Sequence, residues 1–342
     1  MIDFRYHLVS LVSVFLALAI GVVLGAGPLR ESIGDQLTNQ VEALRQDKEN
    51  LQLAVGNRDE QILQRDQYVA ATAPRLLAGQ LTGRSVVVVA LPTAGREAVD
   101  LLADELEVAG ADVPGVVSVL SAWTDPGEQA FRRSLVGQLL PFVDPAPEAA
   151  GGTQGDLAAV LAWAVSAPAD GAPDAAAEAE TAVEGLRSGG LVAVDGDVVQ
   201  QADVVLVVTG APPAGEDDEA SAAAVEDSEP WLALLAEADA RSAGAVLAGP
   251  VEAAGDTGLV GVVRQEGVPD GVSTSDAVDT PMGRVVAALA LREQLAGGQG
   301  HYGVASGADA VVPEPVDLPV PADAGTEVPT DVPTDDPDDG TP

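Results

Sequence analysis

Residues 85–120 read SVVVVALPTAGREAVDLLADELEVAGADVPGVVSVL and contain the pattern that decides the fold. The run Ser85–Ala90 is apolar and β-branched without alternation, which is typical of a strand buried on both faces. Residues 94–110 follow with apolar side chains at helical spacing, and Val113–Leu120 is strand-like again. Strand, helix and strand joined by short turns predict a parallel sheet. We therefore predict an α/β fold, a mainly parallel sheet sandwiched between helices.

The same pattern recurs in the second half of the chain. Residues 202–208 read ADVVLVV and predict a strand, as do residues 245–248. Helices are predicted over residues 231–240 and 282–295, where apolar side chains form one stripe. The short apolar run Leu259–Val263 is interpreted as one more strand. These elements extend the predicted sheet.

Three acidic segments interrupt or follow these elements. Residues 145–182 are rich in Ala, Gly, Pro and acidic residues, and we predict a helix over residues 156–165 with loop around it. The stretch GEDDEASAAAVEDSE within residues 212–229 is predicted to be a solvated loop. Residues 312–342 contain no basic residue and are rich in Pro and Asp, so we predict a disordered acidic tail.

Working back from the first strand, residues 29–78 form a polar segment with helical spacing. If Lys48 and Arg58 fill two intervening positions, the apolar residues follow a heptad register. The seam so defined comprises Leu37, Val41, Leu44, Leu51, Val55 and Ile62. We predict a coiled-coil helix that forms a homo-oligomer, and a dimer in particular. The alternative is an amphipathic helix packed on its own domain.

The chain begins with a run of 20 uncharged residues, LVSLVSVFLALAIGVVLGAG at positions 8–27. As a helix this run matches the roughly 30 Å hydrocarbon core of a bilayer. We predict an uncleaved membrane anchor over residues 1–28, because the run exceeds the roughly 7–15 apolar residues of a signal peptide. A cleaved signal peptide and a buried core helix are the alternatives. Arg5 and the terminal amine predict a cytoplasmic N-terminus, with the α/β domain of residues 79–311 outside the cytoplasm.

Composition excludes several function classes. The 342 residues include 16 Lys and Arg against 54 Asp and Glu, a net charge of −38. Such a surface repels phosphate backbones and anionic headgroups, so we expect no nucleic-acid partner. The chain has no cysteine, which excludes disulfides, thiolate metal ligands and cysteine nucleophiles.

Catalytic and cofactor motifs are also missing from the sequence. An α/β sheet often binds a nucleotide, but residues 91–95 read LPTAG, which matches no glycine-rich phosphate loop. Residues 209–215 read TGAPPAG, where two prolines remove backbone donors. There is no GxSxG motif, and paired acids such as Asp217 and Asp218 lie in a predicted loop. We therefore assign no catalytic or cofactor-binding residue and predict that the protein is not an enzyme.

The segment GGQGHYG at residues 297–303 follows the last predicted helix, and Gly297 is a good helix stop. Two interpretations are open. The glycine-rich turn presents His301 and Tyr302 to a binding site, or it is a helix cap and loop with Tyr302 packed on the sheet.

Two sequence patterns resemble one known family. HLVSLVSVFLALAIGVVLGAG at residues 7–27 and LREQLAGGQGHYG at residues 291–303 are similar to the mycobacterial copper transport protein B family of actinobacterial envelope proteins. SVVVVALP and ADVVLVVTG lie between them in the same order, so the resemblance spans residues 1–312. It implies a role in keeping intracellular copper low, by efflux or as an envelope channel. Copper would be a transported or sensed ion, with no resident cofactor.

The residues limit how this role is performed. A pore needs several helical spans or a closed barrel, and the sequence offers one span and strands without alternation. Cu(I) prefers thiolate or thioether and Cu(II) favours imidazole. Met282 falls inside a helix, so His301 is the single candidate metal ligand. We predict a single-pass, extracytoplasmic protein that supports copper efflux with an envelope protein partner. The alternative is an envelope scaffold that binds partners but no copper.

Overall fold

The structure is a computed structural model that describes residues 4–26, 28–146, 152–166, 175–198, 202–212 and 218–318. The chain divides into two compact units, one ending at Gln67 and one beginning at Tyr68. We call the second the α/β unit.

The first unit contains the apolar helix α1, Phe4–Ala26. Within it, the 20 residues Phe4–Val23 are long and apolar enough to cross a membrane, and no other helix in the described part of the chain is. None of this segment is buried inside the protein, so the alternative of a buried core helix is wrong. An apolar helix with no protein around it fits a transmembrane helix.

Helix α2, Pro28–Leu77, begins in the first unit and confirms the helix predicted for this region. Its seam residues are exposed in the single chain, from 41% for Val41 to 70% for Leu44. An exposed apolar seam at heptad spacing is what a coiled coil leaves uncovered in one chain. The coiled coil itself remains a prediction.

The α/β unit is built on a seven-stranded sheet with the order β3-β2-β1-β4-β5-β6-β7. Every neighbouring pair is parallel except β2 with β3, which is antiparallel. The strands are β1 Val86–Ala90, β2 Gly115–Val119, β3 Val192–Gly196, β4 Val204–Val208, β5 Ala245–Ala248, β6 Ser273–Ser275 and β7 His301–Tyr302. The predicted mainly parallel sheet is confirmed.

Helices cover both faces of this sheet. They are α3 Arg96–Val108, α4 Gln129–Leu139, α5 Gly152–Val165, α6 Ala176–Ser188, α7 Asp218–Arg241, α8 Leu259–Glu266 and α9 Pro281–Leu295. Val87 and Val89 of β1 pack in one core with α4 to α8. Val86 and Val88 pack in a second core with α3, α9 and the end of α2. The alternation of β1 between two buried cores explains its continuous apolar sequence, and the predicted α/β sandwich is confirmed.

One predicted strand is wrong. Residues 259–263 are the first residues of helix α8, and all five are buried. A short apolar run cannot be assigned to strand or helix by periodicity alone. The backbone explains the helix: Gly267, at φ +63°, ends it in the left-handed conformation, which glycine adopts without strain.

Two predicted loops also differ from the structure. The acidic stretch at residues 215–229 is helical from Asp218 onward as part of α7, while residues 213–217 lie outside the described residues. Its four alanines have the highest helix propensity of any residue. Residues 176–188 form α6, although only the preceding helix was predicted. That helix, predicted over residues 156–165, is confirmed as part of α5.

The predicted disordered tail lies mostly outside the described residues, which end at residue 318. Residues 312–318 differ from the expectation, because they are held on the α/β unit. Arg292 donates to the carbonyl oxygen of Val316 from Nε at 2.9 Å and from Nη2 at 2.7 Å. Leu318 packs against the core that contains α9.

Candidate functional site

The glycine-rich segment of residues 297–303 lies at the edge of the sheet. Helix α9 ends at Leu295, and Gly297 turns the chain with φ +81°. His301 and Tyr302 then form β7, which pairs in parallel with Thr274 and Ser275 of β6. The predicted helix stop is confirmed, and Tyr302 is 6% exposed at the sheet edge.

A buried ion pair lies beside this edge. Arg264 of α8 donates from Nη1 to Asp276 Oδ2 at 2.9 Å, with side chains 1% and 0% exposed. Asp276 also accepts the backbone N–H of Val304 at 2.8 Å and that of Ala305 at 3.1 Å. The other guanidinium nitrogens of Arg264 donate to Thr274 Oγ1 and to the carbonyl oxygen of Tyr302. The pair therefore joins α8, β6, β7 and the loop that follows.

Two glycines of the segment are required by this packing. A Cβ on Gly303, which has φ +134°, would lie 2.2 Å from the carboxylate carbon of Asp276. A Cβ on Gly300 would lie 2.3 Å from Tyr302 Oη. The glycines therefore let the backbone approach the ion pair and the tyrosine ring, which supports the interpretation as a cap and loop.

His301 is held by two polar contacts. Its Nδ1 lies 3.1 Å from Thr274 Oγ1, and its backbone N–H donates to Asp309 Oδ2 at 2.9 Å. The Thr274 hydroxyl accepts from Arg264 and can donate its own proton to Nδ1, which favours the tautomer protonated at Nε2. Burial lowers the pKa of His301 from its ordinary value, the Asp309 carboxylate opposes this shift, and Arg264 reinforces it. Burial therefore favours the neutral form of the imidazole.

Tyr302 is unsuited to acid–base chemistry near neutral pH. Its hydroxyl donates to Glu293 Oε2. Burial raises the pKa of Tyr302 well above its usual value, and the hydrogen bond to Glu293 raises it further. The hydroxyl stays protonated and links β7 to α9.

Metal ligands do not gather around His301. Within the described ranges, no group of three or more His, Cys, Asp or Glu side chains is placed to hold a metal ion. Asp309 is the carboxylate that contacts His301, and it does so through the backbone N–H. One imidazole with one carboxylate is a poor site for copper, which prefers several nitrogen or sulfur ligands.

A second place to look for a site is the carboxyl edge between β1 and β4, where the strand order reverses. Ligands of open α/β sheets bind at such a switch point. Here the loops after the two strands touch each other: Thr93 Oγ1 lies 3.3 Å from Thr209 Oγ1 and accepts the N–H of Gly210 at 3.0 Å. A Cβ on Gly210 would lie 1.8 Å from the Thr93 carbonyl oxygen. The backbone of the two loops therefore approaches so closely at this point that position 210 needs a glycine.

Sequence reasoning missed Arg264, Thr274 and Asp276. They are separated from His301 by 25 or more positions and sit in segments without a known motif. The sequence contains one indication of a buried charge. Asp276 directly follows the run VSTS and precedes the apolar pair Ala277 and Val278. A charged residue inside a buried segment calls for a partner, but the sequence does not show that this partner is Arg264.

Comparisons with known proteins point to one family. The family model described as "Copper transport outer membrane protein, MctB" matches residues 1–313. A copper transporter MctB of Mycobacterium leprae is 31% identical over 346 residues, covering 91% of this chain and 99% of that protein. Copper transporters MctB of Mycobacterium tuberculosis and Mycobacterium bovis are 29% identical over 331 residues, with the same coverage.

Proposed function

The chain belongs to the MctB family of copper transport outer membrane proteins, and from this premise we propose that it supports copper efflux as a membrane-anchored accessory protein. The family match over residues 1–313 carries the proposal. The family is of the transporter type, which is not an enzyme class. In the proposed arrangement, one apolar helix anchors the chain, and the α/β unit lies outside the cytoplasm and binds a transport or envelope partner.

Two features support an accessory role over a pore. The described residues contain one helix that is long and apolar enough to span a membrane. The seven strands form one open sheet, with β3 at one edge and β7 at the other. Backbone polar groups cross a bilayer only in helices or closed barrels. A single helix of this chain therefore cannot enclose a path for copper by itself.

The proposed topology rests on the charges that flank the anchor. The terminal amine, Asp3 and Arg5 precede it and leave one net positive charge, whereas Arg30 after it is outweighed by Glu31 and Asp35. The more positive flank stays in the cytoplasm. Protease added to intact cells stripped of their wall should therefore digest the α/β unit. Digestion that occurs only after the cells are lysed would contradict the proposed orientation.

We propose that the chain acts in copper efflux together with a partner protein and does not bind copper tightly at His301. The hydrogen bonds of His301 with Thr274 and Asp309 hold the edge strand β7 in place. A single imidazole binds copper weakly. We expect full-length protein in detergent to lose Cu(II) to free histidine during dialysis. His301→Ala should behave the same, with His7→Ala as the matched control for the other histidine.

A different outcome of this dialysis is easily recognised. One equivalent of Cu(II) that withstands free histidine, and that is lost in His301→Ala but kept in His7→Ala, would make His301 a ligand and the chain a copper carrier.

The second candidate function is an envelope scaffold that binds partners without a role in copper. The exposed apolar seam of α2 favours it, because it offers a surface for assembly.

A further inference from the structure

An apolar groove of about 690 Å³ lies beside α9 within the α/β unit. Its walls are the end of α2, one side of α9 and residues 311–317, which we call the C-terminal strap. Apart from the strap, the apolar lining consists of Val69, Leu76, Met282, Val285, Val286 and Leu289. Leu76, Val311 and Val312 are 54%, 52% and 46% exposed. Apolar side chains that cluster in an open groove mark an interaction site.

The strap is held in place by one arginine. Arg292 on α9 donates to the carbonyl oxygen of Val316 from Nε at 2.9 Å and from Nη2 at 2.7 Å. Its Nη1 donates at 2.9 Å to the carbonyl oxygen of Gln80, which follows α2. Pro313 of the strap is buried. These hydrogen bonds join the three walls, so the groove is formed within the single chain.

The heptad register of α2 continues into this groove. Helix α2 extends to Leu77, and alternating steps of three and four residues lead from Ile62 to positions 65, 69, 72 and 76. Val69 and Leu76 therefore take the first position, a, of successive heptads, and both line the groove. A helix that pairs with α2 along this register would lie in the groove.

The residue types along the register favour a second copy of this chain as that helix. β-Branched residues at a, with leucine at the fourth position d, favour parallel dimers. In this register the a positions include Val41, Val55, Ile62 and Val69, and the d positions include Leu37, Leu44 and Leu51. Two parallel copies in register place equal positions side by side, so the end of α2 in one copy meets the groove of the other.

Charge complementarity supports the same occupant. Ala73, at position e, is 1% exposed in the core that contains α9, so the e side of α2 faces α9. In a parallel coiled coil, g side chains of one helix lie over the e side of the other. Arg75, at position g, is the one charged residue in residues 68–77. From a second copy it reaches the strap, where the exposed carboxylates of Glu314 and Asp317 line the groove.

We propose that the groove receives residues 68–77 of α2 from a second copy of this chain. The dimer interface then extends beyond the seam into the α/β unit. Each copy gives the end of its α2 to the groove of the other, which makes the contact self-complementary and closed. The inference rests on the predicted coiled coil and goes beyond the proposed role in copper efflux, so that role can fail without it.

The first test is sedimentation equilibrium of the full-length protein in detergent. Val312→Glu places a charge in each apolar groove, where the second copy would bury it. It should raise the dissociation constant of the dimer at least about tenfold. Val108→Glu is the matched control, because Val108 on α3 is 44% exposed and lies outside the groove. It should leave the dissociation constant unchanged. Tryptophan fluorescence during urea unfolding checks that both variants keep the fold.

The second test is cysteine cross-linking, which is clean because the chain has no cysteine of its own. Two differently tagged full-length chains are co-expressed, one with Arg75→Cys and one with Glu314→Cys. Each chain has a single cysteine, so a disulfide between the two tags can form only between copies. Mild oxidation should yield this disulfide. Arg75→Cys paired with Glu128→Cys, an exposed position before α4, should yield none.

Three results would overturn the inference. A wild-type dimer in which Val312→Glu behaves like Val108→Glu, and in which Arg75→Cys and Glu314→Cys do not cross-link, would leave the coiled coil standing without the groove contact. A monomeric wild type would remove both. A lipid that stays bound in native mass spectrometry, and that is lost in Val312→Glu, would assign the groove to an acyl chain.

Discussion

Replacing Asp276 with alanine is expected to lower the free energy of unfolding of the α/β unit by about 3–5 kcal/mol. Asp276 is fully buried and pairs with Arg264, whose side chain is 1% exposed. The pair itself contributes little net stability, because desolvation offsets much of its attraction. Removing one partner is costly for a different reason, since the guanidinium then stays buried with its charge uncompensated.

The backbone adds to this effect. The N–H groups of Val304 and Ala305 donate to the same carboxylate, so both lose their acceptor in Asp276→Ala. Val304 is exposed and Ala305 is half-buried, so water replaces part of the lost acceptor and the cost stays below the about 1–3 kcal/mol of a fully buried donor. We therefore expect the loop after β7 to detach from α8 before the rest of the sheet unfolds.

Urea unfolding of the full-length protein in detergent measures the loss. All three tryptophans, Trp123, Trp163 and Trp231, lie in the α/β unit, so their fluorescence reports that unit and not the apolar helix. Glu184→Ala is the matched control, because it breaks an ion pair with Arg187 whose side chains are 53% and 58% exposed. The control should leave stability nearly unchanged, because solvent screens an ion pair between exposed side chains. Equal effects of the two substitutions would contradict the role given to Asp276.

The double substitution Leu44→Glu and Leu51→Glu is expected to convert a dimer of the full-length chain into monomers. Both leucines lie in the seam and are exposed in the single chain, 70% for Leu44 and 66% for Leu51. Burying one leucine contributes about 1.5–3 kcal/mol, and a dimer buries four at these positions. The dissociation constant should therefore rise at least about a thousandfold, the equivalent of about 4 kcal/mol.

A matched control separates the seam from a general effect of added charge. Leu53 and Leu63 are on the same helix and are 68% and 57% exposed, but neither lies at a seam position. Leu53→Glu with Leu63→Glu adds the same charge and should leave the dimer intact. Sedimentation equilibrium in detergent distinguishes the cases. A monomeric wild type, or a dimer that survives the seam substitutions, would contradict the coiled coil.

The sheet could be predicted from the sequence where its strands are buried on both faces. The continuous valines of Val86–Ala90 identify a central strand without reference to the rest of the fold. Ser273–Ser275 could not be recognised, because three hydroxyl residues have no apolar signal and become 0% exposed only through tertiary packing. His301–Tyr302 is too short for any pattern, and its strand exists through pairing with β6.

The site shows the same division between local and long-range information. The turn at Gly297 follows from local backbone chemistry and could be predicted. The need for glycine at position 303 comes from Asp276, which is 27 positions earlier and approaches only in the folded chain. The ion pair between Arg264 and Asp276 likewise depends on α8, a segment whose apolar run was misassigned as a strand. Because the sequence predicts a strand at this segment, it does not reveal the ion pair that explains the glycine-rich motif.

The most direct test of the account is the copper content of cells that lack this chain. Under a copper load, cells with the gene deleted should retain more cell-associated copper than the parent. A plasmid copy should restore the parental value, and so should a copy carrying His301→Ala, because the role proposed for the chain does not require that imidazole as a ligand. Unchanged copper in the deletion strain would contradict a role in copper efflux and favour the envelope scaffold.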